Sequence, residues 1–255
     1  MIRLGMLSPN PLVLLLLLLG LSCAHRIPVD HRQEVTARYG QKATPLSQDF
    51  SYFQRPESGT QFWKIMPYYK PQLTDCSCST ASAALLLNAL MPTHRLSDEV
   101  PSFTEERVLA LSESSSWKEA TKTGSTGLTL QAFHREIQNL FKKLNVTQKF
   151  SSQYFEMKTE EDSRRFKKHL LDFNQSKGWL IVMYGQGTVL GGPVAYPHFS
   201  PVGAYDEKQD RLLVLDIDGT WYEPYWLPTE SVIKNMSLFD EEMKCQRGYL
   251  FVSLL

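Results

Sequence analysis

Three side chains of this sequence have the types and the order that acyl transfer by a thiol requires. Cys78 stands where a polar loop meets an Ala- and Leu-rich segment, residues 79–90, with helical character. A thiol in the first turn of a helix feels the partial positive charge of the free backbone N–H groups, and that field favours the nucleophilic thiolate. His198 and Asp216 follow far downstream as a candidate base and a candidate orienting carboxylate.

The predicted strands around His198 and Asp216 bring these two residues together. His198 begins a predicted strand, 198–205, and Asp216 ends the next one, 211–216. In an antiparallel hairpin these two ends lie side by side, so Asp216 can bind one ring nitrogen and leave the other facing a thiolate. Gln72 stands six residues before Cys78. Its side-chain amide and the Cys78 N–H can stabilise an oxyanion, at roughly 3 kcal/mol per donor.

Each of these residues also has an ordinary structural interpretation. A single Cys that enters an Ala- and Leu-rich helix is more often a small buried hydrophobe than a nucleophile. His198 is not privileged by its residue type, because the chain also contains His25, His31, His94, His134 and His169. Cys76 and Cys78 form a Cys-x-Cys pair, but no second pair at a structural-zinc spacing accompanies it. We therefore predict no metal site.

The elements that must position the candidate residues predict an α+β fold. Predicted helices cover about 79–90, 128–141 and 160–174, and predicted strands cover 179–184, 198–205, 211–216 and 248–253. Helices thus come first and carry the Cys, whereas antiparallel strands come later and carry the His and the Asp. We assign residues 51–255 to one catalytic domain and residues 23–50 to a tether or an arm lying on it.

The N-terminus has the composition of an export signal. The run 12–19 is apolar without interruption, too short to span a bilayer comfortably, and typical of a secretory signal. We predict a signal peptide over 1–22 and a periplasmic or membrane-anchored bacterial protein. Cys23 follows a small residue as in lipoproteins, so acylation of Cys23 and plain cleavage near Ser22 or Ala24 both stay open. An uncleaved N-terminal anchor is the third option.

The other global features restrict partners and redox state. The formal net charge is zero, with 27 basic and 27 acidic residues, which argues against a nucleic-acid partner. Without Cys23, three cysteines remain. In an oxidising compartment a Cys76–Cys245 disulfide would leave Cys78 free; alternatively, all three stay reduced.

Several blocks, in order, resemble the phytochelatin synthase family of papain-like cysteine enzymes. The segment Gln72-x5-Cys78-Ser-Thr-Ala-Ser resembles the nucleophile segment of that family, and 198–205 resembles its histidine segment. Leu213-Val-Leu-Asp216 with Tyr222-x-Pro-x-Trp226-x-Pro resembles the aspartate segment, and Arg247-Gly-Tyr249 resembles the start of its final strand. The resemblance covers about residues 60–253.

This resemblance implies a papain-like fold and a specific chemistry. Cys78 would be the nucleophile, His198 the general base, Asp216 the orienting residue and Gln72 the oxyanion donor, with Phe199 and Tyr222 as substrate-binding residues. The family cleaves the Cys–Gly bond of glutathione, releases glycine and holds γ-Glu-Cys as a thioester. A second glutathione then yields phytochelatin, and water yields hydrolysis. No cofactor is required, and Cd or Zn would arrive as thiolates of the substrate.

Three departures from the family pattern bear on substrate and metal. Ser79 stands where the family usually has Gly, and Gly219 stands where it has an Arg that helps hold a substrate carboxylate. The sequence stops at the core domain, so metal sensing by a Cys-rich C-terminal extension is not expected. Short bacterial relatives of this kind look more like glutathione hydrolases. The alternatives are an exported papain-like peptidase acting on a periplasmic or cell-wall peptide, and a non-enzymatic thiol or metal-binding lipoprotein. The oligomeric state stays open, with a homodimer among the options.

Overall fold

An antiparallel sheet of seven strands forms the centre of the computed structural model, which describes residues 38–56, 58–92 and 102–255. Its strand order is β1-β6-β5-β4-β3-β9-β2, and each neighbouring pair is antiparallel. The strands are β1 (Thr44–Pro45), β2 (Phe150–Glu156), β3 (Gly178–Gly185), β4 (Pro197–Asp206), β5 (Arg211–Val214), β6 (Tyr225–Pro228), β7 (Phe239–Asp240), β8 (Cys245–Gln246) and β9 (Gly248–Leu254). β7 and β8 form a separate two-stranded pair.

Helices pack on this sheet and predominate in the first half of the described chain. They are α1 (Thr60–Ile65), α2 (Cys78–Leu90), α3 (Glu105–Ser112), α4 (Ser115–Ala120), α5 (Leu130–Lys143), α6 (Glu160–Asn174), α7 (Gln186–Val189) and α8 (Thr229–Met236). Three 3₁₀ turns cover Leu46–Gln48, Ser51–Gln54 and Met66–Tyr68. This mixture of helices and antiparallel strands agrees with the predicted α+β class, although α6, α7 and α8 alternate with the strands of the second half.

The core lies between α2 and the middle of the sheet. In α2 every residue except Leu90 is buried, and β3 is buried along its whole length. A strand that is apolar throughout, instead of alternating, is typical of a sheet with both faces covered. α2 contacts β4, whereas α6 and α8 contact β3. The nucleophile helix is thus held in the interior, where its first residue has little freedom to move.

Element boundaries agree with the sequence where side chains define them locally. α6 begins at Glu160 and ends at Asn174 as predicted, because Thr159 and Asp162 form a capping box at its start. α5 begins at Leu130 instead of 128, since the Thr129 side chain accepts a hydrogen bond from Ala132 N. β5 ends at Val214, so Asp216 lies just beyond the strand that was predicted to contain it.

Part of the segment predicted to be a tether or an arm pairs with the sheet. One compact unit covers Arg38–Leu255. Residues 44–45, assigned from sequence to a tether or arm, form β1 and pair with β6. The predicted signal peptide and Cys23 lie outside the described residues. Among the helices that are described, none combines the length and apolarity needed to cross a membrane.

Candidate active site

Cys78 is the first residue of α2 and faces the histidine-bearing strand. Ser77 precedes the helix as its N-cap residue, and Cys78 itself is only 7% exposed. One turn further along, the Ser82 hydroxyl donates a hydrogen bond of 3.3 Å to the backbone carbonyl of Phe199, the residue after His198. This contact fixes α2 against the start of β4. Cys78 is close enough to His198 to contribute to the raised pKa of that ring.

His198 is held between Cys78 and Asp216. Its Nε2 lies 2.9 Å from Asp216 Oδ1, which leaves Nδ1 for the thiol, and both side chains are buried. Burial alone would lower the pKa of His198, but the charge and hydrogen bond of Asp216, followed by Cys78, raise that pKa to about 10. At neutral pH the ring is therefore an imidazolium, a form that can donate a proton to a departing amine.

Asp216 accepts hydrogen bonds from a set of buried donors. Its Oδ2 accepts from Tyr225 Oη at 2.6 Å, Tyr184 Oη at 3.1 Å and Gln186 Nε2 at 2.9 Å. Its Oδ1 accepts from the backbone N–H of Asp218 at 3.0 Å. Burial alone would raise the pKa of Asp216, but His198, Gln186 and Tyr225 lower it to about 2. The carboxylate therefore stays charged and fixed opposite His198.

The loop that carries Gln72 lies against the residues around Asp216. Gln72 N donates to Ile217 O at 2.8 Å, and the Tyr69 hydroxyl donates to the backbone carbonyl of Asp216. The Gln72 side-chain amide makes one long hydrogen bond, 3.4 Å from Nε2 to Asp75 O. This weak contact leaves the amide able to turn toward an oxyanion formed at Cys78. Cys78, His198 and Asp216 thus lie together, and the backbone of Gln72 is bonded to the residue that follows Asp216.

Comparison with known proteins identifies the family. The family model described as phytochelatin synthase matches residues 47–249. This chain belongs to the phytochelatin synthase family. It is 24% identical over 204 residues to glutathione gamma-glutamylcysteinyltransferase 3 of Lotus japonicus, covering 76% of this chain and 38% of that protein.

Shorter matches agree with that assignment. Over 56 residues the chain is 34% identical to glutathione gamma-glutamylcysteinyltransferase 1 of Arabidopsis thaliana, covering 22% of this chain and 12% of the relative. Over the same length it is 38% identical to glutathione gamma-glutamylcysteinyltransferase 1 of Triticum aestivum, covering 22% of this chain and 11% of that relative. The chain thus spans well under half the length of the curated relatives that it matches.

The two expected substrate contacts differ in their surroundings. Phe199 is 2% exposed, and its ring packs against Phe133 with centroids 4.7 Å apart. Its side chain is thus part of the core, and the substrate contact expected of Phe199 stays a prediction. Tyr222 is half-buried near the candidate site, and its ring makes edge contacts with Tyr39 and Tyr225. Tyr222 therefore stays a candidate.

The two positions that depart from the family pattern have definite neighbours. The hydroxyl of buried Ser79 accepts a hydrogen bond of 2.8 Å from the indole of Trp117, so it is directed toward α4. A Cβ placed on Gly219 would lie 2.7 Å from Pro71 Cγ. A side chain at position 219 therefore requires Pro71, next to Gln72, to move.

The thiols and carboxylates do not assemble into a further site in the described part of the chain. Cys76, Cys78 and Cys245 are all free thiols, so the Cys76–Cys245 disulfide considered from sequence is absent. Cys76 Sγ instead donates to Ser125 O at 2.9 Å. Among the described residues, no group of three or more His, Cys, Asp or Glu side chains is arranged to hold a metal ion.

Sequence reasoning missed the donors around Asp216. Tyr184 lies opposite His198 in the β3–β4 register, and Tyr225 opposite Val214 in the β5–β6 register. Gln186 follows β3 in a Gly-rich segment that looked like a plain connection. The available signal was a Tyr at the end of a buried strand, because a buried Tyr hydroxyl needs a hydrogen-bond partner. Which residue that partner is depends on the strand register.

Proposed function

We propose that this protein is a papain-like cysteine enzyme that cleaves the Cys–Gly bond of glutathione and transfers the γ-Glu-Cys group mainly to water. The observation that carries the proposal is the buried Cys78–His198–Asp216 constellation in a chain of the phytochelatin synthase family. The relatives are named for glutathione γ-glutamylcysteinyl transfer, and a thiol paired with an imidazolium is the group that such acyl transfer requires.

In the acylation half, the Cys78 thiolate attacks the carbonyl carbon of the substrate cysteine residue. The Gln72 amide and the Cys78 N–H donate to the oxyanion that forms. The His198 imidazolium then gives its proton to the nitrogen of the departing glycine, and the C–N bond breaks. Glycine leaves as a neutral amine, and γ-Glu-Cys stays on Cys78 as a thioester. Asp216 keeps the ring oriented and stabilises its charge.

In the deacylation half, neutral His198 accepts a proton from an incoming water, whose oxygen attacks the thioester carbonyl. The C–S bond breaks, the Cys78 thiolate re-forms, and free γ-Glu-Cys leaves. The amine of a second glutathione can take the place of water and yield an extended peptide. We expect water to be the main acceptor, as in the short bacterial relatives that the sequence resembles.

The proposal also covers the role of metal ions, the cellular location and the oligomeric state. No protein-bound metal takes part in these steps; Cd or Zn would act as a partner of the substrate thiol. We propose that the protein is exported through its N-terminal signal and acts in the periplasm, free or lipid-anchored through Cys23. The apolar run at 12–19 supports export. A homodimer remains compatible with these steps.

Glycine release from glutathione tests this function. We expect the wild-type protein to release glycine, whereas Cys78→Ala abolishes release and His198→Ala reduces kcat by at least about 1,000-fold. Cys76→Ala is the matched control, because it removes the neighbouring thiol and should keep most of the activity. A reduced wild-type protein that releases no glycine, with or without Cd, would contradict glutathione as the substrate.

One observation favours a second candidate, a peptidase for a different periplasmic or cell-wall peptide. Pro71 occupies the space beside Gly219, and Asp218, whose pKa burial raises, lies near His198, Asp216 and Asp75. Neither Gly219 nor Asp218 supplies a cation for a substrate carboxylate at the position where the family has an Arg. Glutathione and its C-terminal amide should therefore be compared. Faster cleavage of the amide supports the second candidate, and faster cleavage of glutathione supports the first.

A further inference from the structure

One buried carboxylate, Glu105, joins the loop of Gln72 to the helix of Cys78. Its Oε1 accepts from Leu73 N at 2.7 Å, and its Oε2 accepts from Thr80 Oγ1 at 2.6 Å. Ser77 also lies near the carboxylate, because it contributes to lowering the pKa of Glu105. Leu73 follows Gln72, whereas Ser77 and Thr80 flank Cys78. The carboxylate therefore spans the gap between the proposed oxyanion donor and the nucleophile.

Other restraints on the Gln72 loop lie two residues further on, where Thr74 N donates to Ser77 Oγ at 3.0 Å and Thr74 Oγ1 donates to Thr121 O at 2.6 Å. The Leu73 side chain is 63% exposed, so it does not anchor the loop by burial. The Gln72 amide makes only the long contact to Asp75 O, and no partner for Gln72 Oε1 is found among the described residues. Backbone hydrogen bonds must then place the Gln72 side chain. Gln72 N is bonded to Ile217 O, and Leu73 N to Glu105.

The surroundings of Glu105 suit a fixed acceptor. It is 7% exposed and begins α3 after the N-cap Thr104, so free N–H groups of that helix lie beside it. Burial raises the pKa of Glu105, while Thr80, Ser77 and Leu73 lower it. Burying a carboxyl group without such partners would be costly, and each partner here belongs to the loop or to the start of the nucleophile helix.

We propose that Glu105 is a positioning residue that sets the distance between the Gln72 amide and Cys78, and so acts on oxyanion stabilisation without touching the substrate. This proposal depends on the proposed function at one point only: both require the Gln72 amide to donate a hydrogen bond to an oxyanion. The substrate need not be glutathione. A residue with this role should affect reactions that pass through an oxyanion at Cys78 and leave other reactions of the same thiol unchanged.

Two small reagents separate these reactions. p-Nitrophenyl acetate acylates a thiolate through a tetrahedral oxyanion, whereas iodoacetamide alkylates it by direct displacement without one. Both rates should be measured at Cys78 by mass spectrometry of its peptide, with Cys78→Ala as the blank. Neither reagent requires the glutathione pocket. A wild-type protein that reacts with both but releases no glycine would count against the proposed substrate alone.

Glu105→Ala should lower the acylation rate by about 10- to 100-fold and change the alkylation rate by less than about threefold, because a lost oxyanion donor costs about 10²–10³. The acylation rate of Glu105→Gln should lie within about threefold of the wild-type rate. The Gln amide oxygen can accept from Leu73 N, and its NH₂ can donate to the Thr80 hydroxyl. Glu106→Ala, exposed on the same turn, is the control and should leave both rates unchanged.

The combination with Gln72→Ala tests whether Glu105 acts through Gln72. The double variant Gln72→Ala/Glu105→Ala should acylate within about threefold of Gln72→Ala alone, because residues that act as a unit are not additive. Three results would each overturn the proposal. The two losses could multiply in the double variant, Glu105→Ala could lower acylation and alkylation equally, or Glu105→Ala could leave the acylation rate unchanged. If Glu105→Ala does not fold, Thr80→Val removes one of the two links. It should then lower acylation relative to alkylation, and an unchanged ratio would overturn the proposal.

Discussion

At the scale of single residues, the buried pairing of His198 with Asp216 determines what the site can do. A carboxylate that is fully buried and accepts hydrogen bonds from Tyr225, Tyr184 and Gln186 cannot reorient easily. Its charge keeps His198 protonated far above the usual range of an imidazole. A thiol alone at a helix start would be an ordinary buried side chain, and this pairing is what makes it a candidate nucleophile.

The pH dependence of activity should reflect this pairing. Acylation needs the imidazolium of His198, so kcat/KM should fall as pH rises through the raised pKa of about 10. Asp216→Asn removes the charge that raises this pKa. We therefore expect the alkaline limb to move to lower pH and kcat to fall by about 10²–10⁴-fold. The measurement is kcat/KM against pH for both proteins.

Asp210→Asn is the control for that profile, because Asp210 is a carboxylate in the turn between β4 and β5, bonded to Lys167 at the surface. It should leave the alkaline limb in place. An alkaline limb that stays unchanged in Asp216→Asn would show that Asp216 does not set the protonation of His198.

At the scale of elements, a buried network holds the turn that brings Gln186 to Asp216. Arg247, next to β9, pairs with Asp240 at 2.8 Å and lies 3.5 Å from the carbonyl oxygen of Asn235. Asn235 Oδ1 in turn accepts from Gly185 N at 2.6 Å. Gly185 directly precedes Gln186, whose amide donates to Asp216. This network therefore supports the position of Gln186 next to Asp216.

Removing the Arg of this network should destabilise the whole fold. In Arg247→Ala, Asp240 would stay buried without its partner, and breaking a buried ion pair costs about 3–5 kcal/mol. We expect a loss of that order in the free energy of unfolding by urea. Lys244→Ala is the matched control: it breaks an exposed pair with Glu241 and should change stability by less than about 0.5 kcal/mol. Equal stability of the two variants would refute the structural role of Arg247.

The elements differ in how far the sequence predicts them. α6 could be placed to the residue because its capping box and apolar spacing are local. β2 was missed because Phe150–Glu156 is partly polar and lies at the sheet edge, where one face meets water. Glu105 and Gln186 were missed for a different reason. Their partners are distant in sequence, and only tertiary packing shows which backbone groups each side chain meets.

At the scale of the whole molecule, the site forms where the helical part meets the sheet. α2 supplies the thiol from one side, and the β4 and β5 ends supply the imidazole and the carboxylate from the other. The Gln72–Ile217 and Ser82–Phe199 hydrogen bonds join the two parts around the site. Cys78, His198 and Asp216 were predictable because their types, order and strand positions restrict the geometry. The surroundings of Gly219 were not, because the Pro71–Gly219 contact becomes visible only in three dimensions.

The most direct test of Cys78 as the nucleophile is intact-protein mass spectrometry after acid quenching of a reaction with glutathione. We predict an adduct with the mass of a γ-Glu-Cys acyl group, located on the peptide that carries Cys78 and removed by hydroxylamine, as expected for a thioester. His198→Ala should accumulate less of it, because the departing glycine lacks its acid. An adduct on Cys76 or Cys245, or glycine release by Cys78→Ala at the wild-type rate, would contradict the central claim.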